Sequence, residues 1–265
     1  MENSALLGPA APEHGWVPAP RYLLRRDRVM HALKNIRPCK ILEIGCGAGM
    51  LLQELAARGF ECHALETSGD ARALGAKLAA EAKKRIEFHA APEKDWDNSF
   101  SLLMAFEVLE HIEDDASAVA LWHTWLAPDA KLILSVPAHQ KRWNARDIWA
   151  GHVRRYERQE LVRLFESAGF VIESVDCYGF PLANILERVG ERRYKQHERV
   201  QVDQSVQVRD ANTAQSGIDR SADAKWYPIL RSPLGRIAIW TAMVIQRPFR
   251  NTESGNGYVL VARKA

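Results

Sequence analysis

The stretch Lys40–Leu55, KILEIGCGAGMLLQEL, constrains this chain more than any other. Ile41, Leu42 and Ile44 make an apolar run interrupted by Glu43, glycines follow at positions 45, 47 and 49, and the apolar pattern resumes from Met50. A short buried strand that breaks at glycine and passes at once into a helix opens a βαβ unit. Glycine permits positive φ and a close approach of backbone to ligand, and open parallel sheets bind ligands at the carboxyl ends of their strands. The dinucleotide fingerprint is GxGxxG, whereas the glycines here read GxGxG, with Glu43 two places before the first. The same glycines would also serve a tight turn that holds no ligand.

The rest of the chain continues the alternation. Strand patterns at FECHALETS, RIEFHA, FSLLMAFEV, AKLILSVPA, VIESVDCY and GYVLVARK are separated by helical patterns at GDARALGAKLAAEAKK, DDASAVALWHTWLA and RQELVRLFESAGF. Arg21–Pro38 reads as a basic amphipathic helix stopped by Pro38. Strands alternating with helices of this length argue for an α/β fold, a mostly parallel sheet covered on both faces. The N-terminal segment through Pro20 reads as irregular, and Pro181–Gly255 is far longer than a connection between strands needs. The middle of that insertion, His197–Lys225, is polar enough to be expected mobile.

Composition narrows the function. A formal charge of +3 over 265 residues is too small to imply nucleic acid. Four cysteines without CxxC spacing indicate neither a zinc ribbon nor a disulfide framework, so reduced thiols and a cytoplasmic location are expected. The first residues lack a basic region followed by an apolar core, and no apolar run approaches the roughly 20 residues of a membrane span.

GxGxG after a strand, with Glu43 before it, resembles motif I of the class I S-adenosylmethionine-dependent methyltransferases. The segments FSLLMAFEVLEHI through AKLILSVPA and WNARDIWAGHVRRYERQELVRLFESAGF resemble the branch that includes ubiquinone-biosynthesis O-methyltransferases. The likeness covers about Arg21–Tyr178 and the last strand. It implies a Rossmann-like sheet of seven strands whose last is antiparallel. It also implies residues 39–180 as cofactor-binding core, 1–38 as an N-terminal cap, 181–255 as a helical insertion over the acceptor site, and 256–265 as the last core strand. The implied cofactor is S-adenosyl-L-methionine. Glu43, Gly45, Cys46, Gly47 and Gly49 would hold its methionine end, Glu66 and Thr67 the ribose, Glu93 the adenine, and Ala105 and Phe106 would flank the methyl donor.

The acceptor side is less determined. A hydroxyl acceptor needs its proton removed or its oxygen bound to metal. His111 and His152 are the base candidates, because imidazole titrates near neutral pH, and Tyr156 is a candidate for orienting the acceptor. Glu107, Glu110 and His111 have i, i+3, i+4 spacing, and with His152 they could instead hold a divalent ion such as Mg2+. Arg154 and Arg155 read as a solvated charge pair, and Trp143 and Trp149 as residues at the mouth of the site or in the core. Residues 229–247 are apolar and edged with arginine, suited to roofing a pocket, to peripheral membrane contact or to plain packing. The expectation is methyl transfer to a small, partly apolar acceptor, at oxygen before nitrogen or carbon. A metal-dependent RNA 2′-O-methyltransferase and a non-catalytic cofactor-binding protein are the rival readings.

Overall fold

Side chains along a strand point alternately to the two faces of a sheet, and this chain uses both. In the computed structural model, which describes residues 1–198 and 220–265, nine strands form: β1 (Glu2–Ser4), β2 (Gly8–Ala10), β3 (Lys40–Ile44), β4 (Glu61–Leu65), β5 (Ile86–His89), β6 (Phe100–Phe106), β7 (Leu126–Pro137), β8 (Phe170–Tyr178) and β9 (Gly257–Lys264). β1 and β2 pair as a small hairpin, and the other seven form one sheet in the order β5-β4-β3-β6-β7-β9-β8. Met104, Phe106 and Ile133 enter one apolar cluster, while Leu103, Ala105, Leu132 and Leu134 enter another on the opposite face.

Seven helices precede the undescribed residues: α1 (Pro20–Ala32), α2 (Met50–Ala56), α3 (Gly69–Glu81), α4 (Asp115–Trp125), α5 (Ala145–Ala150), α6 (Arg158–Ser167) and α7 (Leu182–Glu198). Three follow them: α8 (Ser221–Ala224), α9 (Tyr227–Arg231) and α10 (Pro233–Gln246). Helices α1 and α2 cover one face with Leu23, Leu24, Leu52 and Leu55, and α4 and α6 cover the other with Trp122, Trp125, Leu161 and Phe165. The sheet is the expected Rossmann-like one. Strands β5 to β7 run parallel, and β9 inserts antiparallel between β7 and β8 with Lys131 opposite Arg263 and Val171 opposite Arg263. From β3 the chain moves outward through β4 to β5 and then returns to lay β6 on the other side of β3, so a crevice opens at their carboxyl ends.

Three sequence expectations change. α1 ends at Ala32 rather than Pro38, its last turn closing through the Leu33 N–H onto the Val29 carbonyl. The N-terminal segment is ordered: Leu7, Ala10, Ala11, Trp16 and Val17 are buried, and Trp16 meets Tyr22 edge-on at 5.4 Å. α5 was not anticipated; Asn144 caps it and Asp147 returns a bond to the Asn144 N–H, a capping box at the spacing of N-A-R-D. α10 packs Ile239, Met243 and Gln246 inward, and leaves Leu234, Ile237 and Trp240 exposed. Of the segment expected to be mobile, His197–Lys225, residues 199–219 lie outside the described residues, while Ser221–Ala224 form α8. Among the described residues no helix is long and apolar enough to cross a membrane.

Candidate functional site

The crevice at the ends of β3 and β6 widens into a cavity of about 900 Å3. Its first wall is the glycine turn. Gly45, Gly47 and Gly49 all hold positive φ (64°, 54° and 66°), so the pattern is required by backbone conformation. A Cβ on Gly45 would stand 2.5 Å from the Val108 side chain. The Glu66 carboxylate accepts from the Gly47 N–H and the Ser68 N–H, both at 2.9 Å, which fixes its direction and leaves lone pairs for a ligand's hydroxyls. Glu43 is buried at 5% exposure with Oε2 unpartnered, and burial pushes its pKa up to about 8. A buried carboxylate with an open oxygen beside a glycine turn is a fitting partner for a ligand ammonium, and the residues present fit S-adenosylmethionine on this side.

Sequence candidates divide by position. Glu43, Gly45, Cys46, Gly47, Glu66, Thr67 and Phe106 line the cavity. Gly49 instead sets the start of α2, with Phe88 3.3 Å from where its Cβ would be. Ala105 faces the opposite side of the sheet from Phe106, in the cluster with Trp122 and Phe165. Glu93 lies on the surface, accepting from His89 Nδ1 at 2.6 Å, because β5 is the edge strand and its loop turns outward.

The remaining lining comes from distant elements. Glu107 sits at φ 58°, a left-handed break between β6 and the following turn. Its carboxylate is drawn to Arg21 (3.1 Å) and Arg25 (3.5 Å) and accepts from Ser135 Oγ (2.9 Å) and Tyr178 OH (3.2 Å). Burial opposes its charge, but the two guanidiniums hold its pKa down at about 2. Glu107 is thereby held by the arginines and does not join Glu110, His111 and His152 in one cluster, contrary to the shared face expected from spacing.

Glu110, His111 and His152 do come together, each offering an atom within 4.8 Å of the others. Glu110 is fully buried, neither of its carboxyl oxygens makes a hydrogen bond within the protein, and burial together with the Glu107 charge raises its pKa well above the usual range. His111 packs edge-on to His152 at 4.8 Å; burial and the neighbouring imidazole pull its pKa down to about 4, so it stays neutral. His152 Nδ1 lies 2.9 Å from Asp147 Oδ1, which assigns the proton to Nδ1 and leaves Nε2 as a lone pair, 3.8 Å from Glu110 Oε1. Burial works against the Asp147 charge, yet bonds from His152 and Arg155 lower its pKa to about 2.

Tyr156 does not reach the cavity: it is buried behind it, donating to Asp115 Oδ2 at 2.8 Å. Arg155, expected on a solvated face, is buried between Asp147 and Glu187 at 2.7 Å from each, and Arg154 pairs with Asp115 at 2.6 Å. Trp149 lines the cavity and Trp143 does not. None of 229–247 roofs it; from the insertion only Arg220 and Asp223 contribute among the described residues. Arg220 stacks over Trp16 at 4.5 Å and Tyr22 at 5.0 Å, and burial lowers its pKa to about 10. Asp147, Arg21, Arg25 and Arg220 were missed as site residues. For Asp147 the N-x-x-D capping signature was available in the sequence, and for Arg21 and Arg25 the i, i+4 spacing on α1.

The chain matches known proteins along this same core. A family described as "Methyltransferase domain" matches residues 19–175. The ubiquinone biosynthesis O-methyltransferase of Alkalilimnicola ehrlichii is 29% identical over 116 residues, 42% of this chain and 47% of that protein. The chain spans about half the length of the first curated relatives it matches. Phosphoethanolamine N-methyltransferase 2 of Haemonchus contortus, solved with S-adenosyl-L-methionine, superposes with a TM-score of 0.56 at 16% identity, covering 91% of this chain and 52% of that one. The 4+2 cyclase SpnF superposes at 0.59 and 18% identity, covering 99% of this chain and 87% of that one. At such identities these structures speak for the fold alone. The chain belongs to the methyltransferase-domain family, within the class I S-adenosylmethionine-dependent methyltransferases.

Proposed function

We propose that this chain transfers the methyl group of S-adenosylmethionine to a hydroxyl of a small, partly apolar organic acceptor, with His152 as the base. One observation carries the reading: an imidazole with Asp147 behind its Nδ1 and an Nε2 that faces Glu110 at 3.8 Å, beyond hydrogen-bond distance, lines the same cavity as the glycine turn and Glu66. Methyl transfer from a sulfonium is an in-line displacement, so holding donor and acceptor in line with water excluded supplies much of the rate. The C–S bond breaks as the acceptor oxygen bonds the methyl carbon, and the hydroxyl proton passes to His152 Nε2. Asp147 keeps that imidazole in the right tautomer and stabilises the imidazolium, as a carboxylate behind a catalytic histidine does elsewhere. On the donor side, Glu43 would pair with the ammonium and Glu66 with the ribose hydroxyls. The curated relative named as an O-methyltransferase supports oxygen as the acceptor atom.

A second reading rests on the unpartnered oxygens of Glu110 and Nδ1 of His111, which with His152 could hold a metal. Two nitrogens and one carboxyl suit a nitrogen-preferring transition metal; magnesium takes oxygen ligands in octahedral array, and Glu107 is committed to arginine, so Mg2+ does not fit.

The test is methyl transfer from labelled S-adenosylmethionine to a panel of phenols, apolar alcohols and amines, with EDTA present. Transfer to hydroxyls under EDTA is expected, with His152→Gln lowering kcat by about 10²–10⁴-fold at unchanged S-adenosylhomocysteine affinity. Activity that vanishes with EDTA and returns with a transition metal would establish the metal reading. Exclusive methylation of amines would overturn the oxygen assignment.

A further inference from the structure

β5 is an edge of the sheet, paired only with β4, and the parallel register sets His63 beside Glu87 and Leu65 beside His89. Because side chains alternate, Glu61 and His63 of β4 and Glu87 and His89 of β5 all rise on one face. His63 Nδ1 lies 3.2 Å from His89 Nε2 and 3.7 Å from Glu87 Oε2.

The outer nitrogens say what the inner ones are. His63 Nε2 meets Glu61 Oε1 at 3.2 Å, and His89 Nδ1 meets Glu93 Oε1 at 2.6 Å. A carboxylate accepts, so in each neutral imidazole the outer nitrogen carries the hydrogen. The inner nitrogens, 3.2 Å apart, are then both lone pairs, with a carboxylate oxygen alongside. Three acceptor atoms within 4.8 Å of one another repel, and a cation between them would relieve that repulsion.

Their spacing suits a metal. Tetrahedral coordination with bonds of about 2.0–2.1 Å sets neighbouring ligand atoms about 3.3 Å apart, between the two distances found here. A carboxylate on the far nitrogen of each histidine is the usual device for fixing the ring and raising its basicity as a ligand. Phe100 packs edge-on to His63 at 5.5 Å and Trp96 to His89 at 5.2 Å, walling one side. Glu87 and Glu93, about half exposed, leave the other side open to water and to entry.

We propose that His63, Glu87 and His89 bind a divalent transition-metal ion of the zinc type, clipping the edge strand β5 to β4. The site is separate from the cavity, none of whose lining residues it shares. It also bears on strand ends that matter, since the His89 carbonyl accepts the Glu66 N–H at 3.0 Å.

The test uses the full chain, freed of any histidine tag and stripped with EDTA, titrated with CoCl2 and then ZnCl2. Tetrahedral Co2+ absorption bands that Zn2+ displaces are expected, together with a higher Tm in Zn2+. The bands should persist in the His111→Asn, His152→Asn double variant and vanish in His89→Asn. Glu93→Gln should weaken Zn2+ binding about 10–100-fold while keeping the circular dichroism of the parent. Absence of bands in the parent chain would mean that a proton, not a metal, separates the two rings, and would overturn the proposal. Bands that survive His89→Asn, or are lost only in the double variant, would overturn it too.

Discussion

The cavity wall around the glycine turn is drawn from one short stretch, Glu43 to Ser68, and is held by carboxylate-to-backbone bonds of 2.9 Å within that stretch. The wall around His152 is gathered from α1, the turn after β6, α5, the loop before α6, and β8, and charge holds it: Arg21 and Arg25 on Glu107, Arg155 and His152 on Asp147. The first wall works by backbone conformation, which local sequence imposes. The second works by buried ion pairs, which are strong only while both partners stay in place. The two should therefore fail differently when disturbed.

Asp147→Ala should do the most damage, because it leaves Arg155 short of a buried partner and His152 without its anchor. A loss of about 3–5 kcal/mol in urea unfolding is expected, with S-adenosylhomocysteine affinity of the folded protein unchanged. An equal fall in that affinity would break the separation between the walls. Glu66→Ala is the converse: calorimetry should show cofactor binding weakened by about 1.5–3 kcal/mol, with a smaller change in unfolding midpoint. Gly45→Ala should cost about 1–2 kcal/mol of stability, since the left-handed φ is disfavoured for alanine and its methyl meets Val108.

In pH dependence the two walls should differ in sign. Glu43, raised from 4.5 to about 8, contributes stability that is whole below 4.5 and lost as pH rises through 8. His111, lowered from 6.5 to about 4, contributes stability that is whole above 6.5 and lost as pH falls through 4. Glu43→Gln should thus flatten the stability profile between pH 4.5 and 8, and His111→Gln between 6.5 and 4, as measured by denaturation at each pH. Removal of slopes of the same sign by both variants would show the walls to be electrically coupled.

How much was legible follows the same division. Glu43, the glycines and Glu66 could be read because strand, turn and helix follow in sequence and the spacing of the carboxylates is set by strand length. His111 and His152 were found by residue type, but their meeting depends on the return from β7 through α5. The i, i+3, i+4 argument failed for Glu107 because a left-handed residue, not a helix, follows β6, and Arg21 and Arg25 wait on that side. Tyr156 and Arg155 were misjudged because a side chain's neighbours across the fold have no signature in its own segment.

By itself the sequence determined the alternating elements, the turn with its positive φ values and the carboxylates at the strand ends, since these depend on periodicity and on what glycine alone permits. Only the tertiary structure decided which charges are paired. Whether Glu107 meets a metal or two arginines, and whether Asp147 caps a helix or also anchors a histidine, depends on which distant segments the sheet brings together. Burial then turns those meetings into pKa shifts, and burial is a property of the whole fold.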